Sequence, residues 1–252
     1  MKLVSFLRDT QPIQYVSSLI LKHRFKPGIK DGRIRMPYRL YIPNGYNETD
    51  AQKYPIFFTL HGAGRRGDDN QKQVYSSAVF YSMRSVQKNH PCFVLAPQCP
   101  KSSSWVDVSS WDEGTHSLRN LTPALETSIS ILNEVVNKYR IDTSRQYITG
   151  FSMGGYGTWE AIVRFPDRFE AAIPISGGGI PEKASCLDSV RVWAFHGAKD
   201  TTVPVSGTRH MIGAMRKSGL SPRYTEFDSY GHTARPVFRK EDLVEWIFNK
   251  ND

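Results

Sequence analysis

Along the chain, short runs of consecutive apolar residues alternate with longer stretches in which apolar positions recur every three or four residues. The runs "YRLYIP" (residues 38–43), "YPIFFTLHG" (54–62) and "CFVLAPQ" (92–98) are rich in β-branched and aromatic residues and close on Pro, Gly or a polar residue. That is the pattern of strands. "QYITGF" (146–151) and "RYTEFD" (223–228) read the same way. "EAAIPISGG" (170–178) and "VRVWAFHG" (190–197) are nearly continuous in apolar residues, as strands covered on both faces should be. The helical pattern is clearest over residues 121–140, where Leu125, Ile129, Leu132 and Val136 share one face. Thr122 can cap that helix and Pro123 suits its first position, where the backbone N–H has no partner in any case. Lys138 and Arg140 fit its negative end. Further helices are predicted across residues 74–87, through "GTWEAIVRF" up to Pro166, over residues 205–219 and across "KEDLVEWIFNK" near the C-terminus.

Strand–helix alternation of this kind predicts an α/β fold: a mostly parallel central sheet with helices on both faces. No internal repeat or linker interrupts it, so residues 1–252 are expected to form one domain. Residues 1–37 alternate less cleanly and are expected to supply antiparallel strands at the sheet edge. The short connection between "ISGGG" and "VRVWAFHG" leaves no room for a large lid domain. By contrast, the segment from Gln98 to Thr122 is too long for an ordinary strand–helix loop and carries Trp105 and Trp111. Long ordered loops in compact domains are often functional.

Composition narrows the picture mainly by exclusion. Lys plus Arg (33) exceed Asp plus Glu (24), giving 33 − 24 = +9. These charges are scattered as singles and pairs with no basic run, which reads as a solvated surface rather than a nucleic-acid footprint. Cys92, Cys99 and Cys186 are odd in number and show no paired spacing, against both a disulfide framework and a zinc site. No apolar run is long enough to cross a bilayer. The first 25 residues show no clear apolar core of a signal peptide, so a cytoplasmic location is expected.

Chemistry concentrates in "YITGFSMGGYGTW" (residues 147–159), where Gly150-x-Ser152-x-Gly154 falls between a predicted strand and a predicted helix. A serine at such a sharp turn is presented as a nucleophile, with small residues two positions either side to let the backbones pass. The Met153 N–H, directly after it, is the first expected oxyanion donor, aided by the helix N-terminus. A serine hydroxyl needs a base, and His232 in "SYGHTA" is the candidate. The base needs a carboxylate to hold its tautomer. Asp200, just past a strand end, is favoured over Asp228, which lies close in sequence to His232. His61 and His196, at strand ends, are expected to be structural. The second oxyanion donor should come from "HGAG", with Ala63 ahead of Gly64.

With these residues in place, the sequence resembles the α/β-hydrolase superfamily. Within it, the chain is similar to small esterases related to polyhydroxybutyrate depolymerases, feruloyl esterases of carbohydrate esterase family 1 and peptidase-like carboxylesterases. The likeness is carried by "YPIFFTLHGAGRRGDDN", "LAPQCP" with "SSSW", "ITGFSMGGYGTWEAIVRFPDRFEAAIPISGGG", "VWAFHGAKDTTVPV" and "YGHTA". It implies a nucleophile at Ser152, an acid at Asp200, a base at His232, an oxyanion hole at Ala63 and Met153, and a substrate pocket involving Gln98 and Trp105. It also implies hydrolysis of short-chain or aryl esters, including acetyl or feruloyl esters of plant carbohydrate, with no metal or organic cofactor and neither nucleic acid nor membrane as partner. A serine peptidase of the same fold and a non-catalytic binding protein on the same scaffold are the alternatives. Trp105, Trp111 and Trp159 can either stack on substrate or pack in the core.

Overall fold

The computed structural model describes residues 25–75 and 77–249. Through them runs an eight-stranded sheet in the spatial order β1-β2-β4-β3-β5-β6-β7-β8. The strands are β1 (Phe25–Lys30), β2 (Met36–Tyr41), β3 (Tyr54–Leu60), β4 (Phe93–Pro97), β5 (Ile141–Phe151), β6 (Ala171–Ile175), β7 (Arg191–Gly197) and β8 (Arg223–Phe227). β2 pairs antiparallel with both β1 and β4, and the remaining pairings are parallel. The mostly parallel sheet matches the expectation; β1 and β2 form its antiparallel edge, and residues 1–24 of the expected edge segment lie outside the described residues.

Among the described residues, six α-helices cover the sheet: α1 (Ser77–Ser82), α2 (Arg84–Gln87), α3 (Pro123–Lys138), α4 (Met153–Arg164), α5 (Val205–Lys217) and α6 (Leu243–Phe248). The two faces are read directly from the period-two alternation of the strands. Ile56, Phe58, Leu60, Ile148 and Ala194 enter a core shared with α3, α4 and α5. Their neighbours Phe57, Tyr147, Trp193 and Phe195 enter a second core with α1 and α6. Each fully buried side chain of this size contributes about 1.5–3 kcal/mol, so continuous apolar strands are what a two-sided sheet requires.

α3 begins as expected. Thr122 Oγ1 accepts from the Leu125 N–H at 3.1 Å and donates to the Trp105 carbonyl at 2.9 Å, tying the helix start to the long loop. The single helix expected over residues 74–87 is instead broken at Met83, whose backbone is extended (φ −65°, ψ 148°). Side chains take over the carbonyls at the break: Ser82 Oγ donates to Val79 O at 2.8 Å and Gln87 Nε2 to Tyr81 O at 2.8 Å. Such local bonds compete with helix continuation.

The three cysteines are free. Burial pushes the Cys92 and Cys99 thiols up to about 12, so both act as packing groups rather than nucleophiles. Among the described residues, no helix is long and apolar enough to cross a membrane.

Candidate active site

β5 ends at Phe151 and α4 begins at Met153, so the chain reverses at Ser152 alone. Ser152 has φ 59° and ψ −120°, a conformation that costs a non-glycine residue about 1–3 kcal/mol. Three backbone bonds hold it there: Ser152 N–H to Ile175 O at 2.9 Å, and Gly155 and Tyr156 N–H to Ser152 O at 2.7 and 3.1 Å. The flanking glycines are demanded by close approach. A Cβ on Gly150 would stand 2.1 Å from Gly154 O, and one on Gly154 would stand 2.0 Å from Leu60 O. Both obstacles are backbone and cannot swing aside. Gly154→Ala is therefore expected to cost about 2–3 kcal/mol and to displace the serine. A urea midpoint and an ester-turnover assay on the same preparation check this; wild-type values in both would contradict it.

His232 lies on the segment after β8 and reaches back to this turn. Its Nε2 is 2.9 Å from Ser152 Oγ, and its Nδ1 is 2.7 Å from Asp200 Oδ2. The imidazole side chain is 20% exposed and the Asp200 side chain fully buried. Asp200 sits just beyond β7, at the carboxyl end of the sheet where open α/β folds gather their sites. Asp228 is exposed and leaves the role of partner to Asp200. The Phe151 ring flanks the imidazole at 4.7 Å.

Asp200 is held by four donors. Oδ1 accepts from the Thr202 and Val203 N–H groups, each at 2.9 Å. Oδ2 faces His232 and also His196 Nε2, at 3.2 Å. Burial alone would push this carboxyl up. The hydrogen bonds from His196, His232 and the two amides outweigh it and hold the group well below the usual carboxylate range. His196 is itself fixed by Thr208 Oγ1, 2.7 Å from Nδ1. In the sequence, its link to Asp200 is signalled only by the spacing of four residues across one tight loop.

Ala63 opens a 3-10 turn (Ala63–Arg65) and Met153 is the first residue of α4, so neither N–H has an acceptor within its own helix. The loop after β3 lies against Ser152: a Cβ on Gly62 would be 3.4 Å from Ser152 Cβ. His61 anchors that loop. Its Nδ1 is 2.8 Å from Gly62 O, its Nε2 accepts from the Cys99 N–H at 2.9 Å, and its carbonyl accepts from Trp105 Nε1 at 2.9 Å.

A second proton on His61 would set an N–H against the Cys99 N–H, and burial, the largest cause, lowers its pKa from 6.5 to about 4. The unfolded chain therefore binds more protons in that window, and stability falls as the pH drops through it. The loss from this group reaches about 3 kcal/mol near pH 4. Urea titrations between pH 7.5 and 4 should show a flatter decline for His61→Asn than for the wild type; parallel declines would contradict this.

Two expected substrate contacts are corrected. Gln98 and Trp105 are both fully buried and offer no surface to a ligand. Gln98 Oε1 accepts from Asn70 N–H at 2.7 Å, while Nε2 donates to Arg65 O and Asp69 Oδ1 at 3.2 and 3.3 Å. That amide staples the loop after β3. Trp105 packs against His61 and Gly157. Trp159 is likewise core, whereas Trp111 is half-buried, edge-on to Tyr156.

The long loop is fastened to α4 at three successive turns. Tyr156 Oη donates to Trp111 O at 3.1 Å, Glu160 Oε2 lies 3.0 Å from His116 Nε2, and Arg164 donates to Arg119 O at 2.6 Å. Residues 156, 160 and 164 share one helix face. The same helix thus carries Ser152 at its N-terminus and the loop along its side.

The sequence matches the esterase family described as "Putative esterase" over residues 33–237. The chain belongs to this esterase family. A bifunctional acetylxylan esterase/xylanase of Neocallimastix patriciarum is 30% identical over 60% of this chain and 20% of its own length. Feruloyl esterase B of Thermothelomyces thermophilus is 27% identical over 53% of this chain and 46% of its own. The chain thus spans less than half the length of either of these esterase relatives. Among solved structures, a thermostable esterase superposes with a TM-score of 0.83 at 38% identity, over 91% of this chain and 64% of that one. Its likeness, together with the sheet order, shows the α/β-hydrolase fold.

Proposed function

We propose that this esterase-family chain is a serine carboxylic-ester hydrolase that works through an acyl-enzyme on short-chain or aryl esters, in particular acyl groups carried by plant carbohydrate. The observation that supports it is the unbroken path from Asp200 Oδ2 through both nitrogens of His232 to Ser152 Oγ, at 2.7 and 2.9 Å. Both lengths lie in the range of a working nucleophile–base pair.

In this reading, Asp200 accepts from His232 Nδ1–H, so the ring presents its Nε2 lone pair to Ser152. Ser152 Oγ attacks the ester carbonyl as Nε2 takes its proton. The oxyanion rests on the Met153 and Ala63 N–H groups, each donor worth about 10²–10³ in rate. His232 then passes the proton to the leaving alcohol, and water repeats the sequence on the acyl-serine. The carbohydrate substrate class is suggested by the esterase relatives named for acetylxylan and feruloyl groups.

The test is a panel of p-nitrophenyl esters of rising chain length, methyl ferulate, acetylated xylan and a peptide anilide, run with wild type and Ser152→Ala. Turnover of short or aryl esters that disappears in Ser152→Ala is expected. Cleavage of the anilide in preference to every ester would make the chain a peptidase instead.

A further inference from the structure

The loop between β4 and α3 walls a polar cavity that the steps at Ser152 do not use. Its volume is about 150 Å³, and its lining includes Asp107, Glu113, His116, Ser117, Arg119 and Glu182. Glu182 comes from the 3-10 turn Pro181–Cys186 beyond β6; the others come from the loop. The loop's backbone at Gly114 packs against Gly207, the Pro204 carbonyl and Gly178. Gly178 follows the end of β6 and Gly207 lies beyond Asp200, whereas the lining residue His116 stands against Glu160, about two turns along α4 from Ser152.

One wall of this cavity is buried and fixed. The His116 side chain is 4% exposed, and its Nε2 donates to Glu160 Oε2 at 3.0 Å. Glu160, 2% exposed, is held from the other side by Arg164 Nε at 2.8 Å. His116 Nδ1 meets no protein donor or acceptor. A buried polar nitrogen is rarely left so unless water or a ligand supplies its partner.

With Nε2 as donor, Nδ1 offers a lone pair. Asp107, Glu113 and Glu182 offer carboxylate acceptors, Ser117 a hydroxyl and Arg119 a fork of donors. Such a lining suits a ligand bearing several O–H groups that both donate and accept. No group of three or more His, Cys, Asp or Glu among the described residues is arranged to hold a metal ion. An organic cation would meet the Arg119 guanidinium. The volume, small beside the roughly 300–1,000 Å³ of sites for drug-sized ligands, suits one ring. We propose that this cavity is a saccharide subsite, which holds one sugar unit of a carbohydrate ester while the acyl group lies at Ser152. This rests on the ester-hydrolase reading for its purpose, but not for its test.

The test begins with binding. Xylobiose and xylotriose are titrated into full-length Ser152→Ala protein, followed by amide chemical shifts, and the titration is repeated with Asp107→Asn and Glu182→Gln added. Perturbed amides at residues 113–119 and 182 are expected, with affinity at least about tenfold weaker in the added variants, since hydrogen bonds to charged groups are the stronger ones. In the active enzyme, the same two substitutions should lower kcat/KM for acetylated xylotriose about tenfold more than for p-nitrophenyl acetate. No sugar binding, sugar binding indifferent to both substitutions, or putrescine binding in place of sugar would overturn the proposal. Failure of the wild type to turn over p-nitrophenyl acetate would strike the ester-hydrolase reading alone, because the binding titration does not depend on it.

Discussion

Ser152→Ala is expected to lower kcat for an aryl acetate by about a millionfold, the scale on which loss of a triad nucleophile acts. The size follows from geometry. Ser152 Oγ is the atom 2.9 Å from His232 Nε2, and a methyl group in its place can neither give up a proton nor bond to carbon. Cys92 and Cys99 are buried and raised to about 12, so neither supplies a substitute nucleophile. The fold should survive, because alanine keeps the backbone bonds from Ser152 N–H and to Ser152 O. Ser152→Gly should go further and gain about 1 kcal/mol of stability, because glycine adopts φ 59° without strain. Stopped-flow turnover with urea unfolding on the same samples checks both halves. Residual turnover within a hundredfold of wild type would remove Ser152 from the chemistry.

Asp200→Asn should cost about 10⁴ in kcat, more than loss of the negative charge alone would suggest. The Thr202 and Val203 N–H groups both donate to Oδ1, so the oxygen of the new amide stays on that side. The amide nitrogen must then take the place of Oδ2, 2.7 Å from His232 Nδ1. There it donates to Nδ1 and forces the proton onto Nε2, where it faces the Ser152 hydroxyl and cannot accept its hydrogen. His196, 3.2 Å from the same position, would meet the same reversal. A kcat drop near 10⁴ with KM within a few-fold is the expected result; loss confined to KM would contradict it. The wild-type carboxyl, held low by those four hydrogen bonds, should stay ionised across the ordinary carboxylate range. No limb of the rate profile between pH 4 and 7 should therefore disappear in Asp200→Glu.

Much of this arrangement is legible in the residues. Continuous apolar strands such as "VRVWAFHG" are read as two-sided because a covered sheet leaves no polar face, and Val192 and Trp193 do enter opposite cores. Thr122 and Pro123 mark a helix start by local bonding that needs no tertiary context. Gly150 and Gly154 betray the turn at Ser152 because backbone clashes exclude every other residue there. What the sequence hides depends on distant partners. The break at Met83 hinges on a side-chain amide four residues on, and Gln98 and Trp105 look like site residues until their hydrogen bonds show them spent inside the molecule. His196 as a second donor to Asp200, and the Tyr156–Glu160–Arg164 face that fastens the long loop, need the folded chain to be seen.

Ser152 is the group expected to become acylated, and covalent trapping reads that out without reliance on any one ester. Full-length protein is reacted with p-nitrophenyl diethyl phosphate, p-nitrophenol release is counted, and the protein is digested and mapped by mass spectrometry. The expected result is one equivalent of p-nitrophenol, one diethylphosphoryl group on the peptide carrying Ser152, and complete loss of ester turnover in step with it. A label on any other residue, or a protein that stays unlabelled while it still hydrolyses esters, would contradict it.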